Sequence, residues 1–147
     1  MQKINNIVVP VDFEKNTQKL IDFAIDMANQ LDSEIIFFHG VEYVAIGEMA
    51  LGNFSYTDYI AERKNAAKKA LEEIVENAKG KCKACRSKVI VGDVVDEIID
   101  YAKNQKAHMI IMGTHGKRGI EKILLGSVAD RVLKSAHCPV LVMNPYR

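Results

Sequence analysis

Short apolar runs alternate with helical patterns along the whole chain, and this alternation is the feature that most restricts its fold. The run NIVVPV (residues 6–11) is β-branched and apolar on both faces, which is typical of a strand buried inside a parallel sheet. The next segment, NTQKLIDFAIDMANQLD (16–32), instead places its apolar residues along one helical stripe. Because strands that alternate with helices join into a parallel sheet covered on both faces, the sequence predicts a doubly wound α/β fold.

This strand-and-helix pattern occurs four times and closes with a fifth strand. The predicted strands cover residues 6–11, 34–41, 85–92, 108–113 and 138–144. The predicted helices cover residues 16–32, 58–80, 93–106 and 127–136. Pro10 is expected to end the first strand because proline has no N–H for the sheet ladder, and Asn16 or Thr17 to cap the first helix. Since neither a linker nor an internal repeat interrupts the pattern, we expect a single domain over residues 1–147.

Composition excludes several classes of protein. The chain has 147 residues, of which 48% are hydrophobic and 27% charged, and its net charge is +1, so it lacks the broad positive surface of a nucleic-acid-binding protein. No apolar run approaches the roughly 18 residues that a membrane span requires, and the N-terminus has no signal-peptide pattern. We therefore expect a cytoplasmic protein that binds neither nucleic acid nor a membrane.

The stretch MGTHGKRGIEKILLGSVAD (112–130) carries four glycines between the fourth predicted strand and the last predicted helix. In doubly wound sheets, ligands bind beyond the carboxyl ends of the strands, where the winding reverses. Gly113 and Gly116 allow the backbone to approach an anion, while Gly126 and Ser127 stand where free N–H groups and the helix dipole favour phosphate. The spacing alone leaves two alternatives: a phosphate site, or a connection that binds nothing.

The pattern Gly113-x2-Gly116-x9-Gly126-Ser127 resembles the nucleotide-binding signature of the universal stress protein family, in its ATP-binding branch. The segments IVVPVDF, IIMGTHG and LLGSVADRVLKSAHCPVLVM are also similar to that family. The resemblance implies a five-stranded, Rossmann-like parallel sheet in the order 3-2-1-4-5, with helices on both faces. That order puts the switch point between the first and fourth strands, at the same two loops that the crevice rule selects.

By this resemblance the ligand is ATP or another adenine nucleotide, with Mg²⁺ as a companion of the phosphates. Pro10, Val41 and Met112 are then expected to pack around the base, and Asp12 to accept hydrogen bonds from the ribose hydroxyls or the adenine amine. Contacts to ribose and phosphates, largely through the backbone, are expected from Gly113, His115, Gly116, Gly126, Ser127, Val128 and Ala129. Ala129 lies where a side chain could reach the phosphates but offers none, so only its N–H can help.

Each of these residues also has a simpler explanation. Asp12 can cap the turn that follows it, and Val41 and Met112 can be plain core residues. His115 can be an exposed loop residue that acts only through its backbone. Lys117 and Arg118 are candidates for phosphate contact from their charge alone. Neither is placed like the lysine of a Walker A loop, because the GK[ST] arrangement is missing.

The segment KCKACR (81–86) contains one Cys-x2-Cys pair, Cys82 and Cys85, which is half of a zinc site. We expect incidental loop cysteines, with redox or weak metal sensing as the alternative. No arrangement of nucleophile and base can be recognised from spacing, so no catalytic residue is predicted. At most, weak ATP hydrolysis is expected.

The last strand is expected at an edge of the sheet, and the resemblance implies a homodimer joined there, with Val140 and Val142 at the contact; a monomer is the alternative.

We expect a nucleotide-dependent sensor or switch in the stress response, whose segment 42–56 changes order and presents a surface to a protein partner. Two alternatives remain open, a slow ATPase and a dimeric scaffold without nucleotide. The sequence specifies neither the stress signal nor the partner.

Overall fold

The computed structural model of the chain describes residues 2–43, 55–114 and 125–145. Its strands are β1 (Asn6–Pro10), β2 (Glu34–Val41), β3 (Cys85–Val91), β4 (Met109–Gly113) and β5 (Val140–Met143). Its helices are α1 (Thr17–Leu31), α2 (Tyr56–Ala78), α3 (Val94–Asn104) and α4 (Ser127–Ser135). The alternation of strands and helices predicted from the sequence is confirmed.

The strands form one parallel sheet in the order β3-β2-β1-β4-β5. β1 lies in the middle, with Asn6 opposite Glu34 of β2 and Ile7 opposite Met109 of β4. The chain therefore adds strands first on one side of β1 and then on the other. This confirms the predicted order and puts the reversal of winding between β1 and β4.

Helices cover both faces of the sheet, so adjacent residues of one strand enter different cores. Phe37 packs with Leu71 of α2 in the core shared by α1 and α2. Phe38, the next residue of β2, packs with Ile98 of α3 and Val132 of α4 in the opposite core. Because the side chains of a strand alternate between the two faces, both positions must be apolar. This explains why the strand sequences read as continuous apolar runs.

Three helix starts differ from the predicted bounds, and two of them, those of α1 and α3, differ by one residue. α2 begins at Tyr56 rather than at residue 58, because Ser55 Oγ accepts a hydrogen bond from the N–H of Asp58 at 3.3 Å and caps the helix. Tyr56 therefore belongs to the helix and not to the predicted loop 42–56, of which residues 44–54 lie outside the described residues. At α1, Asn16 occupies the cap position without a side-chain hydrogen bond.

The last strand is shorter than predicted. β5 begins at Val140 rather than at residue 138, and Pro139 contributes only its carbonyl, which accepts from the N–H of Ile110 at 2.9 Å. Within the described ranges, none of the helices is both long enough and apolar enough to cross a membrane.

Candidate functional site

The carboxyl end of β4 is joined directly to the start of α4 by backbone hydrogen bonds. The N–H of Thr114 donates to the carbonyl of Met143 at 2.8 Å, which extends the pairing of β4 with β5. The carbonyl of Thr114 accepts from the N–H of Gly126 at 2.6 Å. The two bonds bring Gly113 and the first turn of α4 together, although residues 115–124 separate Thr114 from Leu125 in sequence.

The first turn of α4 offers backbone donors. Gly126 is its N-cap, with φ −60° and ψ 155°, and the first helical bond runs from the N–H of Asp130 to the carbonyl of Gly126 at 2.9 Å. No side chain caps this turn in the part of the chain that the structure describes, so the amides of Ser127, Val128 and Ala129 have no partner there. Free amides and the positive end of the helix dipole together favour an anion.

The exit of β1 presents the Asp12 carboxylate. One oxygen, Oδ1, accepts from the N–H of Glu14 at 3.0 Å and from Thr17 Oγ1 at 3.3 Å. This bears out the alternative in which Asp12 caps the following turn. Oδ2 has no partner among residues 2–43, 55–114 and 125–145, so it can still accept hydrogen bonds from a ligand.

His39 and Phe13 support this exit, and sequence reasoning missed both. The ring Nδ1 of His39 lies 2.7 Å from the carbonyl oxygen of Val11, and because a carbonyl only accepts, Nδ1 carries the hydrogen. Phe13 adopts a φ of 62° and packs its ring 4.5 Å from the His39 ring. A lone polar residue within the apolar run EIIFFHGV was the available signal for His39. A positive φ at a phenylalanine has no sequence signal.

The three residues expected around a base lie at strand ends, but their side chains are largely buried and leave little surface for a base to contact. Val41 is 1% exposed and Met112 is 4% exposed. Met112 belongs to the core under α3 and α4, whereas the alternation of β2 puts Val41 on the same face as Phe37. Pro10 ends β1 and is half-buried. The simpler explanation as core residues fits Val41 and Met112, and their contact with a base stays a prediction.

Of the residues expected near phosphate, the structure describes Gly113, Gly126, Ser127, Val128 and Ala129. The side chain of Ala129 is 2% exposed and packs in the α3–α4 core. Only its N–H is therefore left for a ligand, as expected from the sequence, and its contact with phosphate stays a prediction. The other expected residues, His115, Gly116, Lys117 and Arg118, lie outside the described residues.

Comparisons with known proteins agree on one family. The sequence profile of the Universal stress protein family matches residues 3–144. Universal stress protein MJ0531 of Methanocaldococcus jannaschii is 35% identical over 139 residues, which cover 94% of this chain and 81% of that protein. The solved structure of hypothetical protein MJ0577 superposes with a TM-score of 0.82 at 26% identity, over 97% of each chain.

Two further solved structures of the same fold contain a bound nucleotide. The universal stress protein of Archaeoglobus fulgidus, in complex with dAMP, matches with a TM-score of 0.66 at 23% identity, over 96% of this chain and 98% of its own. A family protein of Arabidopsis thaliana with AMP bound matches with a TM-score of 0.63 at 16% identity, over 95% and 91%. From its sequence profile, its relatives and its fold, the chain belongs to the universal stress protein family.

Proposed function

We propose that this chain binds an adenine nucleotide, ATP or a close relative, in the crevice between the ends of β1 and β4. The observation that carries the proposal is the meeting of two features at the switch point of the sheet. One is the set of amides at the start of α4, and the other is the Asp12 carboxylate, whose Oδ2, like those amides, has no hydrogen-bond partner within the ranges 2–43, 55–114 and 125–145. The dAMP and AMP bound to two proteins of this fold support an adenine nucleotide as the ligand class.

The chemistry of each part assigns it a portion of the ligand. The amides of Ser127, Val128 and Ala129 suit the phosphates, which need several donors and a positive dipole. Asp12 Oδ2 suits a ribose hydroxyl, because a carboxylate only accepts and a hydroxyl can donate. Pro10, Val41 and Met112 would then border the base, while Gly113, His115 and Gly116 would contact ribose and phosphates through their backbone.

The nucleotide-dependent role that we propose is that of a cytoplasmic sensor or switch in the stress response.

Within the described ranges, no group of three His, Cys, Asp or Glu side chains is arranged to hold a metal ion. Mg²⁺ would therefore enter with the triphosphate and be held mainly by phosphate oxygens and water.

Two measurements on the purified protein test nucleotide binding. Mass spectrometry of the small molecules released on denaturation is expected to find an adenine nucleotide. Calorimetry on nucleotide-free protein is expected to show ATP binding more tightly than adenosine, which lacks phosphates, and more tightly than GTP, which carries a different base. The proposal would be contradicted if the protein released no nucleotide and ATP produced no heat of binding.

His39 is expected to influence nucleotide affinity without touching the nucleotide. Replacing it with leucine removes the donor to the Val11 carbonyl and frees the backbone next to Asp12. A neutral hydrogen bond contributes about 1 kcal/mol, so we expect the Kd for ATP to rise about fivefold in His39→Leu. His39→Asn is the matched control because its amide can donate at nearly the same position. Equal Kd values for wild type and His39→Leu would show that His39 does not position Asp12.

We further propose that the protein forms a homodimer through β5. This strand is the edge of the sheet next to β4, and its Val140 and Val142 are only half-buried. An apolar edge strand readily pairs with a second copy, and a two-fold axis would make both halves of the contact identical. Light scattering is expected to give twice the 16.4 kDa mass of one chain. A mass that stays at one chain over the whole concentration range would contradict the dimer.

A further inference from the structure

Two cysteine thiols lie side by side under the C-terminal end of α2. Cys82 Sγ lies 3.5 Å from the carbonyl oxygen of Ala78, and Cys85 Sγ lies 3.6 Å from that of Val75. These carbonyls are three residues apart and therefore lie on the same side of the helix. The Cys82 thiol is also close enough to Cys85 to help raise its pKa. Cys85 is the first residue of β3, as the predicted strand over residues 85–92 requires, so only Cys82 fits the description of a loop cysteine.

Both thiols are free and partly accessible. Each cysteine is half-buried against the core shared by α1 and α2. Burial, helped by the neighbouring Cys82 thiol, raises the pKa of Cys85 to about 11, while Lys79 acts weakly in the other direction. Because Cys85 is almost entirely protonated at neutral pH, it is disfavoured as the first nucleophile in a thiol reaction.

We propose that Cys82 and Cys85 are a redox modification site, at which they close a reversible disulfide bond with each other. The oxidant is a low-molecular-weight disulfide of the glutathione type. The first protein thiolate attacks one of its sulfur atoms and releases one small thiol. The second protein thiol then attacks the resulting mixed disulfide and releases the other small thiol. The protein loses two electrons and two protons, and the small disulfide is reduced to two thiols.

The end of α2 can lose both thiol contacts without leaving a carbonyl unpaired. The Val75 carbonyl also accepts from the N–H of Lys79 at 3.1 Å, and the Ala78 carbonyl also accepts from the N–H of Lys81 at 3.0 Å. Backbone bonds therefore satisfy both acceptors in the oxidised and the reduced protein. We accordingly expect the disulfide to form within the folded chain, without unwinding α2.

Cys138 provides an internal control for this site. It lies before β5 and packs against the core under α3 and α4, on the opposite face of the sheet from Cys82 and Cys85. The sheet therefore separates it from the pair within one chain. Burial also raises the pKa of its thiol, so a raised pKa alone does not distinguish the pair from Cys138. What distinguishes the pair is the neighbouring second thiol.

The test equilibrates the folded wild-type protein in buffers with increasing ratios of oxidised to reduced glutathione, alkylates the remaining thiols and maps the peptides by mass spectrometry. In the oxidised buffers we expect a peptide that carries an internal Cys82–Cys85 disulfide, about 2 Da lighter than the dithiol form. Cys138 should remain alkylated, and dithiothreitol should restore both other thiols. The Cys138→Ser variant should behave in the same way.

The single variants Cys82→Ser and Cys85→Ser separate a neighbouring pair from two independent thiols. Each is expected to accumulate a mixed disulfide with glutathione on the remaining cysteine, because no second thiol is present to displace the glutathione. Two results would overturn the proposal. One is wild-type protein in which both cysteines remain alkylated at the most oxidising ratio. The other is wild-type protein that retains glutathione on either cysteine without closing the internal bond.

Discussion

Ser127→Pro is expected to weaken ATP binding about 10- to 100-fold, because a hydrogen bond to a charged group contributes about 1.5–3 kcal/mol. Ser127 is the first residue of α4, a position where proline is favoured and where the N–H has no helical partner. Gly126 has φ −60° and ψ 155°, a conformation that suits a residue before proline. The substitution therefore removes one amide donor from the proposed phosphate site without opposing the helix.

The matched control is Ser127→Ala, which removes the hydroxyl and keeps the amide. If the backbone holds the phosphates, Ser127→Ala should bind ATP nearly as tightly as wild type, and adenosine should bind the proline variant almost normally. Calorimetry gives the affinities, and thermal melting confirms that both variants are folded. Equal loss of affinity in the two variants would assign the contact to the hydroxyl, and no loss in either would remove α4 from the site.

Asp12→Asn is expected to raise the Kd for ATP about tenfold or more, since it removes the charge from a hydrogen bond worth about 1.5–3 kcal/mol. An asparagine can keep an oxygen where Oδ1 now accepts from Glu14 and Thr17, so the turn into α1 is preserved. Its amide group replaces Oδ2 and cannot accept from a ribose hydroxyl. The loss should therefore affect ribonucleotides and leave the folded structure unchanged.

Asp12→Ala and Thr17→Val complete the comparison. Asp12→Ala removes both roles of the carboxylate and should bind ATP more weakly than Asp12→Asn while melting at a lower temperature. Thr17→Val removes one partner of Oδ1 and should lower the melting temperature with a smaller effect on ATP. If Asp12→Asn binds ATP as wild type does, Asp12 serves only the turn, and its assignment to the ribose fails.

Periodicity carried most of the information about the fold. Continuous apolar runs such as NIVVPV predicted strands buried on both faces, and the two cores around Phe37 and Phe38 show why they must be apolar. The strand order could not be predicted in this way, because periodicity does not state which strands are neighbours. It came from the family resemblance, and the sheet confirms it.

The site was predictable only where local sequence determines position. Pro10 and Gly126 mark element ends by their own chemistry, and the structure puts them there. Which oxygen of Asp12 accepts from the turn, and which is left for a ligand, depends on how that turn folds. The bond between His39 and Val11 joins residues 28 apart in sequence, and the bond between Thr114 and Gly126 crosses a long connection. Such contacts exist only once the sheet has formed, so no local pattern indicates them.

A crystal structure of the protein with Mg²⁺ and a non-hydrolysable ATP analogue tests the central claim most directly. We expect phosphate oxygens about 2.7–3.2 Å from the amide nitrogens at the start of α4, and a ribose hydroxyl at Asp12 Oδ2. A crevice that stays empty at saturating analogue, or an analogue bound with its phosphates away from Ser127 and Val128, would contradict the account.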